Sequence, residues 1–279
     1  MPELPEVETI ACEMRRHGIP GRKITGVRVF WPRTLEGHSP KTFSRGLLGR
    51  TIETVDRRAK FLVIRLSGSY YLLVHLRMTG RFQLAEVRSS PAPGLRLEVE
   101  LEDGRALRFY DSRKFGRWRL TREPGGILDR LGPEPLGKGF SAADFVARLQ
   151  GRRRQLKPLL LDQAFLAGIG NIYADEALWE AGLSPQRLAH SLSRREAVRL
   201  LGAIRLVLRR GIRNSGTSLG QGRPNFVGVY GLPGRNQDAL KVFRRTGRPC
   251  PRCGTPIRRM VVAQRGTHIC PVCQPASAP

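Results

Sequence analysis

Four of the five cysteines fall in one short segment, Cys250-Pro-Arg-Cys253 and Cys270-Pro-Val-Cys273, with sixteen residues between the pairs. Two C-x2-C knuckles at this spacing match a tetrahedral four-cysteine zinc site, and the intervening chain is long enough for a hairpin. A module this small buries too little apolar surface to fold alone, so the metal would supply its folding energy. Four protein ligands leave no position for substrate, which makes the zinc structural. The competing reading is a pair of disulfides or a redox centre, which suits an oxidising compartment. The expectation is one structural Zn2+ held by Cys250, Cys253, Cys270 and Cys273, in a C-terminal zinc-finger hairpin over residues 241–279. Cys12 stands apart and reads as a small buried apolar residue.

Charge narrows the choice of partner. The chain carries 49 Lys+Arg against 23 Asp+Glu, a formal charge of +26 spread along its 279 residues and not confined to a tail. Such a field favours nucleic acid, with strongly salt-dependent binding through counterion release. An anionic membrane surface is the alternative, but no apolar run reaches spanning length and no signal peptide is visible. A cytoplasmic, nucleoid-associated monomer is the resulting expectation, and the length allows more than one domain with its own core.

Residues 20 to about 122 read as β structure. Short runs rich in Val, Leu, Ile, Phe and Tyr (24–30, 51–55, 60–66, 70–76, 95–101 and 106–110) are separated by turn residues, with Ser67-Gly68 and Asp103-Gly104 as hairpin tips. Strands at this spacing predict a sandwich of two antiparallel sheets. Before them, Val7, Ile10, Ala11 and Met14 recur at helical spacing, so a helix leads the sandwich. Leu131-Gly-Pro-Glu-Pro-Leu136 has the composition of a linker. Helices are expected from a Ser141 cap through Leu149, over 157–167, after Gly168-Ile-Gly-Asn171 and over 194–213, and then a long loop over 215–240. Residues 275–279 should fray. The fold class is α+β and multidomain: an N-terminal β-sandwich (1–135), a helical part with its loop (136–240) and the zinc finger (241–279).

The first residues, Met1-Pro2-Glu3-Leu4-Pro5-Glu6-Val7-Glu8, carry a chemical possibility. Methionine before proline is normally trimmed, which would leave a secondary amine at Pro2 beside the Glu3 carboxylate. An α-amino group has a pKa near ~8 against ~10.4 for lysine, so a useful fraction is nucleophilic at neutral pH. Attack on a carbonyl-like carbon gives an iminium ion, an electron sink, and the neighbouring carboxyl can shuttle protons. Many chains begin Met-Pro without consequence; here the following helix would anchor the terminus, whereas most termini fray.

Six motifs occur in order: Pro2 to Glu8, Arg58-Ala-Lys60, His75-Leu-Arg-Met-Thr-Gly80, Asp111-Ser-Arg-Lys-Phe-Gly116, Gly168-Ile-Gly-Asn-Ile-Tyr173 and the cysteine segment. With them the chain resembles the bacterial formamidopyrimidine-DNA glycosylase family from Pro2 to Gln274. The resemblance implies a bifunctional DNA glycosylase and AP lyase of base-excision repair, which removes oxidised purines such as 8-oxoguanine from damaged double-stranded DNA. It implies that the Pro2 nitrogen attacks C1′ as the Schiff-base nucleophile, that Glu3 handles protons at the sugar, and that β- and δ-elimination then cut the strand. Lys60 would serve proton transfer and phosphate contact, and Arg265 would contact the lesion phosphates and assist δ-elimination. Met78, Arg113 and Phe115 would fill the void left by an everted nucleotide, with Lys114 beside them in the same basic loop. Arg152, Lys157 and Asn171 would meet phosphate in a helix-two-turn-helix. Where the family often has a DNA-contacting histidine, this chain has Gly94 and Arg96, and Arg96 would have to substitute.

Two other functions remain open on this sequence. The same scaffold in the endonuclease VIII branch acts on oxidised pyrimidines; Leu4 favours the purine branch, since the other usually has glycine there. A non-catalytic lesion-binding protein would use the helical and zinc modules, but it would need neither Pro2 nor Glu3 nor Lys60. The loop over 217–238, where the family encloses the everted base, does not reveal the preferred lesion.

Overall fold

The computed structural model of the protein describes residues 1–220 and 224–276. Its contacts divide the chain into two compact units, Met1–Leu128 with Ile212–Gln237, and Asp129–Gly211 with Asp238 onward.

The first unit begins with α1 (Leu4–Arg16), which buries Leu4, Val7, Ile10, Ala11 and Met14 on one face, the stripe of an amphipathic helix. Eight strands follow: β1 (Ile24–Val29), β2 (Ile52–Arg58), β3 (Phe61–Leu66), β4 (Tyr70–His75), β5 (Gly80–Glu86), β6 (Leu95–Leu101), β7 (Arg105–Asp111) and β8 (Arg117–Thr121). The short helices α2 (Pro40–Leu47) and α3 (Gly125–Leu128) lie between β1 and β2 and after β8. The strands make two antiparallel sheets, ordered β1-β6-β7-β5 and β2-β3-β4-β8. Both contribute to one apolar core, centred on Phe82, Phe109 and Trp118, whose rings lie 5.4–5.5 Å apart.

The sequence reading marks six of these strands and overlooks β5 and β8. Both alternate cleanly: Phe82 and Leu84 in β5, and Trp118 and Leu120 in β8, are buried between less buried neighbours. The period of two was present, but interleaved with polar residues, Arg81 and Gln83 in one strand and Arg117 and Arg119 in the other, and opened in each case by a glycine, Gly80 and Gly116. The helix α2 also interrupts the segment read as β. Ser39 caps it by accepting the Thr42 N–H at 3.2 Å, and Phe43 and Leu47 are its buried face.

The loop expected to belong with the helical part packs on the first unit instead. Two carboxylates of α1 hold it: Glu6 accepts the Thr217 N–H at 2.7 Å and Glu13 accepts the Val229 N–H at 2.6 Å. Phe226 and Val229 enter the sandwich core, and the Val229 carbonyl accepts the Leu84 N–H at 2.8 Å. Residues 221–223, inside the expected lesion loop, lie outside the described residues, as do 277–279 of the end expected to fray.

The second unit contains α4 (Ala142–Gln150), α5 (Leu156–Leu161), α6 (Asn171–Ala181), most of α7 (Arg194–Arg213), and a hairpin of β9 (Arg258–Val262) and β10 (Arg265–Ile269). Ser141 caps α4 as expected, accepting the Asp144 N–H at 3.1 Å while Asp144 accepts the Ser141 N–H at 2.8 Å, a reciprocal capping box. The helix expected over 157–167 stops at Leu161, because Asp162 turns to an extended ψ of 110°. Gln163 then bridges the turn: its amide donates to the carbonyls of Leu161 and Ile169, 2.9 Å each. Between β9 and β10, Ala263 and Gln264 both take positive φ, 47° and 59°, which gives the tight turn the twist of its strands.

Candidate active site and nucleic-acid interface

The amino-terminal residues are held and not frayed. Pro2 is buried and Glu3 is only 3% exposed; the Glu3 N–H donates to Glu6 Oε2 at 2.8 Å. Glu6 thereby serves two segments at once, since its other oxygen accepts Thr217. Lys60 lies not in a strand but in the two-residue turn between β2 and β3, after Ala59 at φ 54°, and it is 5% exposed. The β2–β3 hairpin packs under α1, pinned by Arg57, whose Nε donates to Glu8 at 2.8 Å. Burial opposes ionisation of Glu8, but the bonds from Arg57, Cys12 and Arg15 prevail and hold its carboxyl below the usual range. Cys12 joins this polar cluster. It is half-buried, with Sγ 3.3 Å from Glu8 and 3.1 Å from Arg15, so the expectation of an apolar core residue does not stand.

His75 also belongs here, and the sequence reading gives it no role although it opens a quoted motif. Burial, then the charges of Arg77 and Lys60, push its pKa down to about 3. The ring is therefore neutral near pH 7. Its Nδ1 accepts the Arg77 N–H at 3.0 Å, which leaves the proton on Nε2.

The void-filling candidates sit on two adjacent loop tips of this unit. Met78 is 38% exposed and Phe115 46% exposed, values that remove them from the core. Arg113 and Lys114 are exposed beside them. The Arg113 guanidinium lies 4.9 Å from the Phe115 ring, and Lys114 Nζ lies 4.0 Å from the Trp31 ring. The tips are neighbours because Gly80 pairs with Asp111 across β5 and β7. Both closing glycines are required: a Cβ at Gly80 would lie 2.5 Å from the Leu76 carbonyl oxygen, and one at Gly116 2.5 Å from the Phe109 ring. Arg96, offered as a substitute DNA contact, spends its Nε on the Asp111 carbonyl at 2.9 Å.

In the second unit, Arg152 is exposed in the loop after α4. Lys157 departs from the expectation of a phosphate contact. Its side chain is wholly buried, with Nζ 2.5 Å from Asp175 Oδ1, 2.7 Å from Thr267 Oγ1 and 3.0 Å from the Gly266 carbonyl. An ammonium so enclosed braces the hairpin and has no face for DNA. Asp175 completes the brace by accepting the His268 N–H at 2.9 Å. Asn171, at the start of α6, donates to the same Gly266 carbonyl at 3.1 Å. Arg265, next to Gly266, is left exposed at the hairpin turn. It lines an open pocket of about 300 Å³ with Arg154, Pro158, Leu161, Asp162 and Ala263. The structure thus brings Lys157, Asn171 and Arg265 together, with the lysine as support beneath the other two.

The four cysteines meet as their spacing predicts. Their Sγ atoms all lie within 4.8 Å of one another, with Cys253–Cys270 at 3.4 Å, Cys253–Cys273 at 3.5 Å and Cys250–Cys273 at 3.9 Å. Zinc–thiolate bonds of ~2.3 Å in a tetrahedron place sulfurs at about this separation, so the donor set fits a structural zinc ion. Trp179 of α6 donates its indole N–H to Cys250 at 3.4 Å, which orients that sulfur from outside the ligand set.

Comparison with known proteins agrees with this geometry. Residues 1–118 match the formamidopyrimidine-DNA glycosylase N-terminal domain, 131–221 the formamidopyrimidine-DNA glycosylase H2TH domain, and 247–276 the zinc finger found in FPG and IleRS. The formamidopyrimidine-DNA glycosylase of Protochlamydia amoebophila is 46% identical over 274 residues, 98% of this chain and 99% of that one. That of Herpetosiphon aurantiacus is 48% identical over 277 residues, 98% of this chain and 100% of its own. The crystal structure of the MutM (Fpg) protein of Thermus thermophilus superposes with a TM-score of 0.88 at 43% identity, covering 99% of this chain and 100% of that one. The Lactococcus lactis Fpg in complex with N7-benzyl-Fapy-dG containing DNA gives 0.90 at 34% identity, with the same coverage. With three matched domains in order and near-complete coverage, the chain belongs to the formamidopyrimidine-DNA glycosylase family.

Proposed function

We propose that this protein is a base-excision repair DNA glycosylase with AP lyase activity, acting on oxidised purines in damaged double-stranded DNA. The observation that carries the reading is the anchored, enclosed amino terminus, with Pro2 and Glu3 held at the head of α1. Removal of Met1 frees the secondary amine. That amine attacks C1′ of the everted nucleotide, the C1′–base bond breaks, and the base leaves with a proton that Glu3 or Lys60 can supply. The sugar ring opens to give an iminium ion at C1′. Its electron-withdrawing character acidifies C2′, so β- and then δ-elimination expel the 3′- and 5′-phosphates. Arg265 neutralises phosphate charge during these steps, and Asn171 and Arg152 meet the backbone. Met78, Arg113 and Phe115 enter the vacated stack, Arg113 with a donor fork suited to the orphaned base. We further infer a monomer working at DNA in the cytoplasm; among the described residues no helix is long and apolar enough to cross a membrane.

The test is borohydride trapping on duplex DNA containing 8-oxoguanine, followed by mass mapping of the cross-linked peptide. A cross-link at Pro2 is expected, and an uncleaved amino-terminal tag should abolish it while sparing DNA binding. Trapping at Lys60 would overturn the nucleophile. Trapping on oxidised pyrimidines alone would move the protein to the other branch, and excision by the tagged protein would overturn the Pro2 mechanism.

A further inference from the structure

Met78 and Phe115 belong to different loops, yet an intercalating wedge has to enter the stack as one body. The loop that carries Met78 is closed by the Gly80 N–H, which donates to the Leu76 carbonyl at 3.0 Å. The loop that carries Arg113 and Phe115 is closed from its far end by Arg117, whose guanidinium donates to the Gly116 carbonyl at 2.9 Å, and from its near end by the Asp111 side chain. Asp111 is wholly buried at the end of β7; its Oδ2 accepts the Gly116 N–H at 2.6 Å and its Oδ1 accepts the Arg113 N–H at 3.2 Å. The same Oδ1 accepts the hydroxyl of Thr79, the residue after Met78. The Thr79 oxygen in turn accepts the Arg113 N–H at 3.1 Å. One carboxylate and one hydroxyl therefore cross-brace both loops immediately behind the three exposed side chains. Arg96 holds the Asp111 carbonyl from the next strand.

We infer that Asp111 and Thr79 are positioning residues that lock the two loops into a single rigid wedge for nucleotide eversion. This rests on the wedge reading of Met78, Arg113 and Phe115, and it adds residues that touch neither DNA nor the reacting atoms. The chemistry explains the choice of aspartate. Each of its partners is a donor, and hydrogen bonds to an ionised acceptor are the short, strong ones. Asparagine has the same shape but turns one oxygen into an N–H donor, so it must face a backbone N–H with another N–H and release one side of the brace. Threonine serves as a relay because its hydroxyl donates to the carboxylate while its lone pairs accept from Arg113. Valine at position 79 keeps the shape and loses both bonds.

The test separates eversion from chemistry. Single-turnover excision of 8-oxoguanine from duplex DNA needs the wedge; cleavage and borohydride trapping on single-stranded abasic DNA do not. A 2-aminopurine beside the lesion reports unstacking directly. In Asp111→Asn and Thr79→Val, duplex excision and the 2-aminopurine step should slow by about 10- to 100-fold, the scale of one lost bond to a charged group. Single-stranded abasic cleavage should stay within about twofold, and Thr79→Ser should restore the duplex rate. Equal losses on both substrates, or no loss in Thr79→Val, would overturn the proposal. If Asp111→Asn fails to fold, the Thr79 pair still decides. Met78→Ala and Phe115→Ala are the control for the underlying reading: a normal 2-aminopurine step in both would remove the wedge itself, independently of what braces it.

Discussion

The loop tips of the first unit and the hairpin turn of the second are each held by one buried carboxylate, Asp111 in one and Asp175 in the other. What lies beneath them differs. Asp111 stands at the end of a strand backed by a sandwich core, with Phe109 two residues away and packed on Phe82 and Trp118. Asp175 stands over a module with little apolar core, in which Trp179, Val242, Cys250, Ile257 and Cys270 form the cluster. There the charge of Lys157 and the metal replace apolar burial. A site can therefore be made rigid by packing or by ions, and the two should fail under different insults.

The largest difference should come from the metal. Chelation of zinc, or Cys270→Ser, should unfold the hairpin and release Arg265, since binding energy at such sites is also folding energy, roughly 10–16 kcal/mol in isolated fingers. Hydrogen exchange should show the β-sandwich amides unchanged; loss of protection there would break the comparison. Next, Lys157→Met leaves Asp175 buried without its ammonium, a change that costs about 3–5 kcal/mol when a buried pair is broken. Denaturant melting should record that loss in the second unit. On the other side, Gly116→Ala forces a Cβ against Phe109, and overpacking of this kind costs about 1–3 kcal/mol, read as a fall in the melting temperature of the first.

The remaining difference is a pH dependence. The His75 ring titrates at about 3 in the folded chain, against ~6.5 when unfolded. Between these values the unfolded state binds more protons, so stability rises with pH there. The contribution of the neutral ring is fully present above about pH 6.5 and is lost as pH falls toward 3. His75→Gln should flatten the melting-temperature profile between pH 7 and 4 relative to the parent. Identical slopes would mean that the ring is less enclosed than its position implies.

Much of this architecture is legible in the sequence. The helical spacing of Val7, Ile10, Ala11 and Met14, the Ser141 cap and the cysteine knuckles are local patterns, set by residues within one or two turns of each other. Tertiary structure decided the rest. Lys157 reads as a phosphate contact from its place in the chain; only the fold shows that Asp175 and Thr267 converge on its ammonium. Asp111 sits inside a quoted motif, yet its role depends on the Gly80–Asp111 register and on a threonine 32 residues earlier. Arg96 is spent on a strand end, and the loop expected among the helices is bound by Glu6 and Glu13 of α1. Periodicity and metal spacing are written in neighbouring residues, so the sequence by itself determined the leading helix, six of the strands, the zinc site and the family. Which charges face solvent and which act as internal braces depends on partners distant in the chain, and only burial in the folded molecule separates the two.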